Sequence, residues 1–254
     1  MSAVFEIARR DLRRMFAGPL AWSALALMQL VIGLFFFLTL LWDFGQKQAL
    51  LVSAKSSFGV TAYVAAPLFK TTALLMMLLV PILSMRTLAE ERRNGTLALL
   101  LSSPVSMSAI VLGKYLSLLA FMSLMTIMVS LMPLSLAFGG TIDVGLMSSA
   151  VLGLFLSLAT FSAAGLYASS LTHQPGTAAV AALAIVLVLW FSQSASSGTE
   201  GVAAQALSWL SLTAHANALM RGVFSSADIA YFLILITTFL VFTIRRLDAL
   251  RLGE

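Results

Sequence analysis

The sequence predicts an all-α integral membrane protein with six transmembrane helices, an N-terminal amphipathic interfacial helix, and a short cytoplasmic helix between spans two and three. Three observations lead there. Sixty percent of the 254 residues are apolar and 10% are charged, against near 45–50% apolar and about 25% charged in soluble globular chains. The apolar residues fall in charge-free runs long enough for a bilayer, which takes about 20 residues per helix. The basic residues are divided unevenly among the segments that join those runs. Disorder is excluded by the same composition, because disordered chains are polar and charged. The absence of cysteine removes disulfide frameworks, thiolate zinc sites, iron–sulfur clusters and cysteine nucleophiles together.

Residues 2–17 open the chain. Phe5, Ala8, Leu12 and Phe16 fall on one helical face, with Glu6, Arg9, Arg10 and Arg13 around the other. That pattern suits a helix lying in the cytoplasmic interface with its arginines at anionic headgroups. Met15 to Trp42 carries no charge, and the first span is placed at 20–42. Trp22 and Trp42 lie at its two ends, where indoles favour the interfaces. The second span covers 66–85, interrupted by Lys70. The third covers 115–137. Val144 to Thr199 is uncharged over 56 residues, too long for one crossing. His173-Gln174-Pro175-Gly176 breaks it, giving spans at 146–170 and 177–193. The sixth is placed at 227–244.

The segment 201–220 is uncharged, but Gln205, Ser208, Ser211, Thr213, His215 and Asn217 make it a poor lipid-facing helix. With six spans, eleven basic residues fall on one side and four (Lys47, Lys55, Lys70 and Arg221) on the other. Excess Lys and Arg mark the cytoplasmic side, so both termini are expected there, in a multi-pass protein of the plasma membrane, or the inner membrane of a Gram-negative cell. A seventh span would export Arg245, Arg246 and Arg251. Residues 201–220 are therefore expected to form an external interfacial or re-entrant segment. No cleavable signal peptide is expected, because the first apolar run is too long for one.

Catalytic signatures are missing from the sequence. It contains no H-E-x-x-H, no G-x-S-x-G and no G-x-x-x-x-G-K-[ST] phosphate loop. His173 and His215 are 42 positions apart and offer no ligand spacing, so both are read as interfacial or packing residues. Ionisable groups within a span usually mark transport pathways. Lys70 is the one clear case, and it stands near enough to the outer boundary to snorkel. It is read as an interfacial anchor, with a pathway role as the alternative. Thr160, Ala164 and Ala168, with Gly165 and Ser169, form small-residue faces that allow close helix approach, within the subunit or at a dimer seam.

The loop 86–114 is the most unusual segment. Arg86 and Glu90 are spaced as an i, i+4 pair on a helix extending the second span. Asn94-Gly95 supplies a helix stop. Leu97 to Leu101 is an apolar run too short to cross, Ser103-Pro104 starts a turn, and Ser106 suits the cap of the third helix. The apolar run either docks in a groove of another protein or folds against the ends of its own spans.

From Leu83 to Leu116 the chain reads M-R-x-L-A-E-E-R-R-x-G-T-L-x-L-L-L-S-S-P-V-S and then I-V-L-G-K-Y-L. This stretch resembles the permeases of type-2 ABC transporters, above all the short-loop branch with the gliding-motility and Nos-type permeases. The likeness extends more weakly along the whole chain, to Met220-Arg221-Gly222-Val223. It implies a homodimer or a pair with a homologous permease, driven by two copies of a cytoplasmic ABC ATPase that binds the ATP and Mg, with no cofactor in this chain. It further implies that the segment after span two is a coupling helix docking on that ATPase. The matching positions are Glu90, Glu91, Arg92, Arg93, Gly95, Thr96, Leu97, Leu100, Leu101 and Pro104, while Ala98 stands where many members carry Glu.

The resulting expectation is a non-catalytic permease subunit of an ATP-driven exporter in a lipid membrane, with an accessory membrane or extracytoplasmic protein as a further partner and no nucleic acid. Two alternatives belong to other classes. One is a force-transmitting anchor that uses the ATPase cycle without passing substrate. The other is a membrane-embedded enzyme, for which only Asp43, Asp143 and Asp228 near external span ends are on offer.

Overall fold

The computed structural model describes residues 3–44, 60–97, 105–138, 142–196, 205 and 209–252. Among them are eight α-helices and no strand: α1 (Ala3–Ala17), α2 (Pro19–Leu38), α3 (Val60–Arg93), α4 (Met107–Leu134), α5 (Val144–Leu171), α6 (Pro175–Ser196), α7 (Leu212–Met220) and α8 (Ser226–Leu252). Six of them, α2 to α6 and α8, are long and apolar enough to cross a membrane. They correspond one for one to the six charge-poor runs.

The starts follow local chemistry. Pro19 opens α2 and Pro175 opens α6, where a missing N–H costs no helical bond. Ser106 caps α4, accepting from Ala109 N, and Asp143 caps α5, accepting from Leu146 N. As expected, the Ser106 cap starts the third crossing helix, which begins at Met107, eight positions before the 115 at which the span was placed. The charge on Lys114 does not end the helix there, because that side chain is buried and neutralised.

Helix α5 is central. Its residues from Leu156 to Leu166 are all buried, and it packs on α3, α4, α6, α7 and α8. A Cβ on Gly165 would stand 2.1 Å from Ser84 Oγ, so α3 and α5 meet closely enough that only glycine fits. Thr160, Ala164, Ala168 and Ser169 are fully buried beside it. The small-residue faces therefore serve packing within the subunit. Aromatic and methionine side chains fill the wider gaps, among them Phe69 and Met76 on α3, Phe121 and Met125 on α4, and Phe161 on α5. Unbranched Met fills irregular gaps of this kind.

Helix α7 has nine residues, about 13 Å at 1.5 Å per residue, which cannot cross a bilayer. It buries Leu212, Ala216, Leu219 and Met220 against the bundle. Ser149 Oγ donates to Leu219 O at 2.8 Å, and Thr213 Oγ1 donates to Trp190 O. Gly222, at φ +87°, closes it with Gly222 N donating to Leu219 O and Val223 N to Ala218 O. That pair of bonds is a Schellman stop, and it accounts for the Met220-Arg221-Gly222-Val223 sequence. His215 is a packing residue here: its Nδ1 lies 2.6 Å from Asp228 Oδ1, and its ring stacks on Tyr231.

Candidate functional site

The site builds from the end of α3. This helix runs past the expected boundary at 85 without a break to Arg93, and Gly95 at φ +72° then turns the chain. A β-carbon resists that left-handed conformation, so the Asn94-Gly95 stop works as its sequence suggests.

The extension 86–93 is tied to three other helices. Toward α5, Ser169 Oγ donates to Met85 O at 3.1 Å and accepts from Ala89 N at 2.9 Å. Beyond it, Arg92 Nη1 donates to Ser170 O at 3.1 Å, a basic group on a helix C-terminal carbonyl. Toward α4, Lys114 Nζ reaches Glu91 Oε1 at 2.7 Å. The same ammonium bonds Asp11 Oδ2 of α1 at 3.0 Å. Arg14 approaches Glu90 and Glu91 at 4.0 and 3.9 Å. Lys114 is 1% exposed and Glu91 9%. A buried ammonium is stable only if carboxylates neutralise it and fill its donor sites, and here two do.

Helix α1 is held by more than charge. A Cβ on Gly113 would stand 2.8 Å from Ile7, so Gly113 lets α1 lie directly on α4 beside Lys114. The face that α1 turns to the bundle contains Ile7, Asp11, Leu12, Met15 and Phe16. Phe5 is 55% exposed, and Arg9, Arg10 and Arg13 are exposed as well. The bond from Lys114 to Asp11 holds the Ile7–Asp11–Met15 face to the bundle and leaves Phe5 outward.

The segment named from the sequence divides accordingly. Glu91 and Arg92 are committed inside the subunit. Arg93, Asn94, Gly95 and Thr96 are exposed. Leu97 is buried beside Leu88, Met107, Ile110 and Leu247, so this side chain folds against its own spans rather than being offered to a groove. Leu100, Leu101 and Pro104 lie outside the described residues. The expected Arg86–Glu90 pair does not form: Glu90 leans toward Arg14, and Arg86 has no carboxylate within 4.0 Å among the described residues. Lys70 is exposed on α3, on the outward stripe that continues through Leu74, Leu78 and Ile82.

A family model described as ABC-2 family transporter protein matches residues 5–249. The chain belongs to that family. It is a multi-pass transmembrane permease of an ABC transporter, and such membership brings an ABC ATPase as partner. No match was found among curated proteins. For an ABC permease the exposed turn after span two gains interest, since the side chains behind it link it to α1, α4 and α5. Sequence reading missed Asp11, Lys114, Ser169 and Ser170. The one available signal was Lys114 itself, a charge following glycine within the apolar I-V-L-G-K-Y-L.

Proposed function

We propose that the protein is the membrane subunit of an ATP-driven exporter, of the short-loop branch with the gliding-motility and Nos-type permeases. A separate cytoplasmic ATPase, present in two copies with ATP and Mg, acts on the Arg93–Thr96 turn. The subunit pairs with a second copy or a homologous permease and carries out no chemistry itself. Both termini face the cytoplasm of the plasma membrane, as the eleven-to-four basic asymmetry favours. The α1 helix then lies at the cytoplasmic interface, with Phe5 toward lipid.

One observation carries the coupling role: Arg93 to Thr96 is exposed while Glu91, Arg92 and Leu97 on either side are anchored. A load on that turn passes through Arg92 to α5 and through Glu91 to α4 and α1. Movement of the spans as packed bodies follows. Leu97 supports the turn from behind, and Leu100, Leu101 and Pro104, outside the described residues, are assigned to the same docking segment by the family resemblance alone.

The test uses the lack of native cysteine. Arg93→Cys and Thr96→Cys are each expected to cross-link to a cysteine-bearing cognate ATPase in membranes. Arg93→Glu should lower permease-stimulated ATP hydrolysis by about tenfold, with a changed salt dependence as for a charge at an interface rim. No cross-link from either position, together with undiminished stimulation by Arg93→Glu, overturns the assignment.

A further inference from the structure

A cavity of about 460 Å³ lies beside the ion cluster, where the α1–α2 elbow faces the end of α3. Its volume falls in the range of small-molecule sites, about 300–1,000 Å³. Its charged lining consists of Asp11, Glu90, Glu91, Arg14, Arg86 and Lys114, three carboxylates and three cations. The remaining wall is mainly apolar, with Met15, Pro19, Leu20 and Leu83.

Three of these charged groups are incompletely partnered. Glu91 Oε2 is buried without a hydrogen bond, although Oε1 of the same carboxylate holds Lys114. A buried acceptor left unmet costs about 1–3 kcal/mol, more when charged, so a donor belongs there. Arg86 has no carboxylate within 4.0 Å among the described residues, and Arg14 stands 3.9–4.0 Å from its nearest ones, beyond hydrogen-bond reach. Guanidinium groups match phosphate oxygens in a planar fork. The wall of one cavity thus brings together Glu91, whose buried Oε2 lacks a donor, the guanidinium of Arg86 without an ion pair, that of Arg14 only loosely paired, and an apolar surface.

We infer that this cavity binds a phospholipid whose headgroup carries a primary ammonium. The phosphate meets Arg86 and Arg14, the ammonium donates to Glu91 Oε2, and the glycerol and upper acyl chains lie along Leu20 and Leu83. The balanced lining favours a zwitterion over a net anion. A primary ammonium has N–H donors for Glu91 Oε2, and a quaternary choline has none. The location agrees, since α1 bears its arginines and exposed Phe5 next to the start of the first span. The inference does not depend on the ATPase-docking proposal.

The test is native mass spectrometry of the full chain, delipidated in detergent. It is titrated with phosphatidylethanolamine, phosphatidylcholine and phosphatidylglycerol of identical acyl chains. Phosphatidylethanolamine is expected to be retained about tenfold better than phosphatidylcholine, about one hydrogen-bonded charge contact. Arg86→Ala, at an exposed position without an ion pair, should lower retention of both. Glu91→Gln should bring phosphatidylethanolamine down to the phosphatidylcholine level. Leu83→Trp, which fills the cavity without changing its charges, should abolish the preference even if Glu91→Gln proves unstable. Equal retention of the ethanolamine and choline lipids, or preference for phosphatidylglycerol, overturns the inference. Displacement by free phosphoethanolamine at lipid-like concentrations would assign the site to a soluble zwitterion and overturn the lipid.

Discussion

Lys114 is expected to be a large single contributor to the stability of this permease, and replacing it with methionine tests that. Its Nζ makes two charge-assisted bonds, 2.7 Å to Glu91 and 3.0 Å to Asp11, and the side chain is 2% exposed. Lys114→Met keeps the aliphatic stem and removes only the ammonium. Two carboxylates, with side chains 12% and 16% exposed, then face each other without their shared cation. Breaking a buried pair by deleting one partner costs about 3–5 kcal/mol. At about 2–4 °C per kcal/mol for a chain of this size, the melting temperature should fall by about 6–12 °C for a loss near 3 kcal/mol. The assay is tryptophan-fluorescence melting of the purified protein in detergent. Adding Glu91→Gln to Lys114→Met should recover part of the loss, since the second change removes the uncompensated charge. A single mutant melting within about 1 °C of the parent, or a double mutant equal to the sum of the singles, would refute the buried cluster.

Three further outcomes are expected. Gly165→Ala should destabilise by about 1–3 kcal/mol, because the new methyl meets Ser84 Oγ at 2.1 Å and forces α3 from α5; adding Ser84→Gly should recover part of this in the same melting assay. Lys70→Gln and Lys70→Arg should both keep ATPase-coupled activity at normal membrane levels, since Lys70 lies on the outward stripe with Leu74 and Leu78; loss with both would indicate a pathway residue. Single cysteines at Arg10 and Arg251 should label from the same side of sealed vesicles, the cytoplasmic one, and labelling from opposite sides would remove the six-span topology.

What the sequence reveals here is set by how local the physics is. Charge-free runs and caps are local, so the six long helices, the break before the fifth span, the Ser106 cap and the Gly95 stop are all readable. Lys114 was misplaced because its partners are distant, Asp11 by 103 positions and Glu91 by 23. Counting it as a loop charge sets the start of the third span at 115, although the Ser106 cap marks the start of the helix at 107. Apolar periodicity does not show which face of α1 meets the bundle: the bond from Lys114 to Asp11 and the notch at Gly113 turn Ile7 inward. For Leu97 the apolar pattern is the same whether the side chain meets its own spans or another protein. Only the packing against Met107 and Ile110 distinguishes the two.

The order Glu91-Arg92 does more than neutralise charge, because it fixes how α3 is rotated about its axis as it leaves the core. Adjacent residues on a helix are separated by about 100°, so a one-residue rotation exchanges neighbours at each contact. Turned one way, Arg92 would face Lys114, two cations in a site with 1% exposure at the lysine. Turned the other way, Glu90 would satisfy Lys114, but Glu91 would then face the Ser170 carbonyl that Arg92 now donates to. That sets two acceptors against each other and discards a charge-assisted bond. Both slips are penalised, and an apolar pair at these positions would penalise neither. The buried charges therefore keep the Gly95 turn in one orientation relative to α4 and α5. For the coupling role proposed above this matters, because a turn free to rotate would dissipate a push as torsion, whereas one held in this way would carry its neighbours with it.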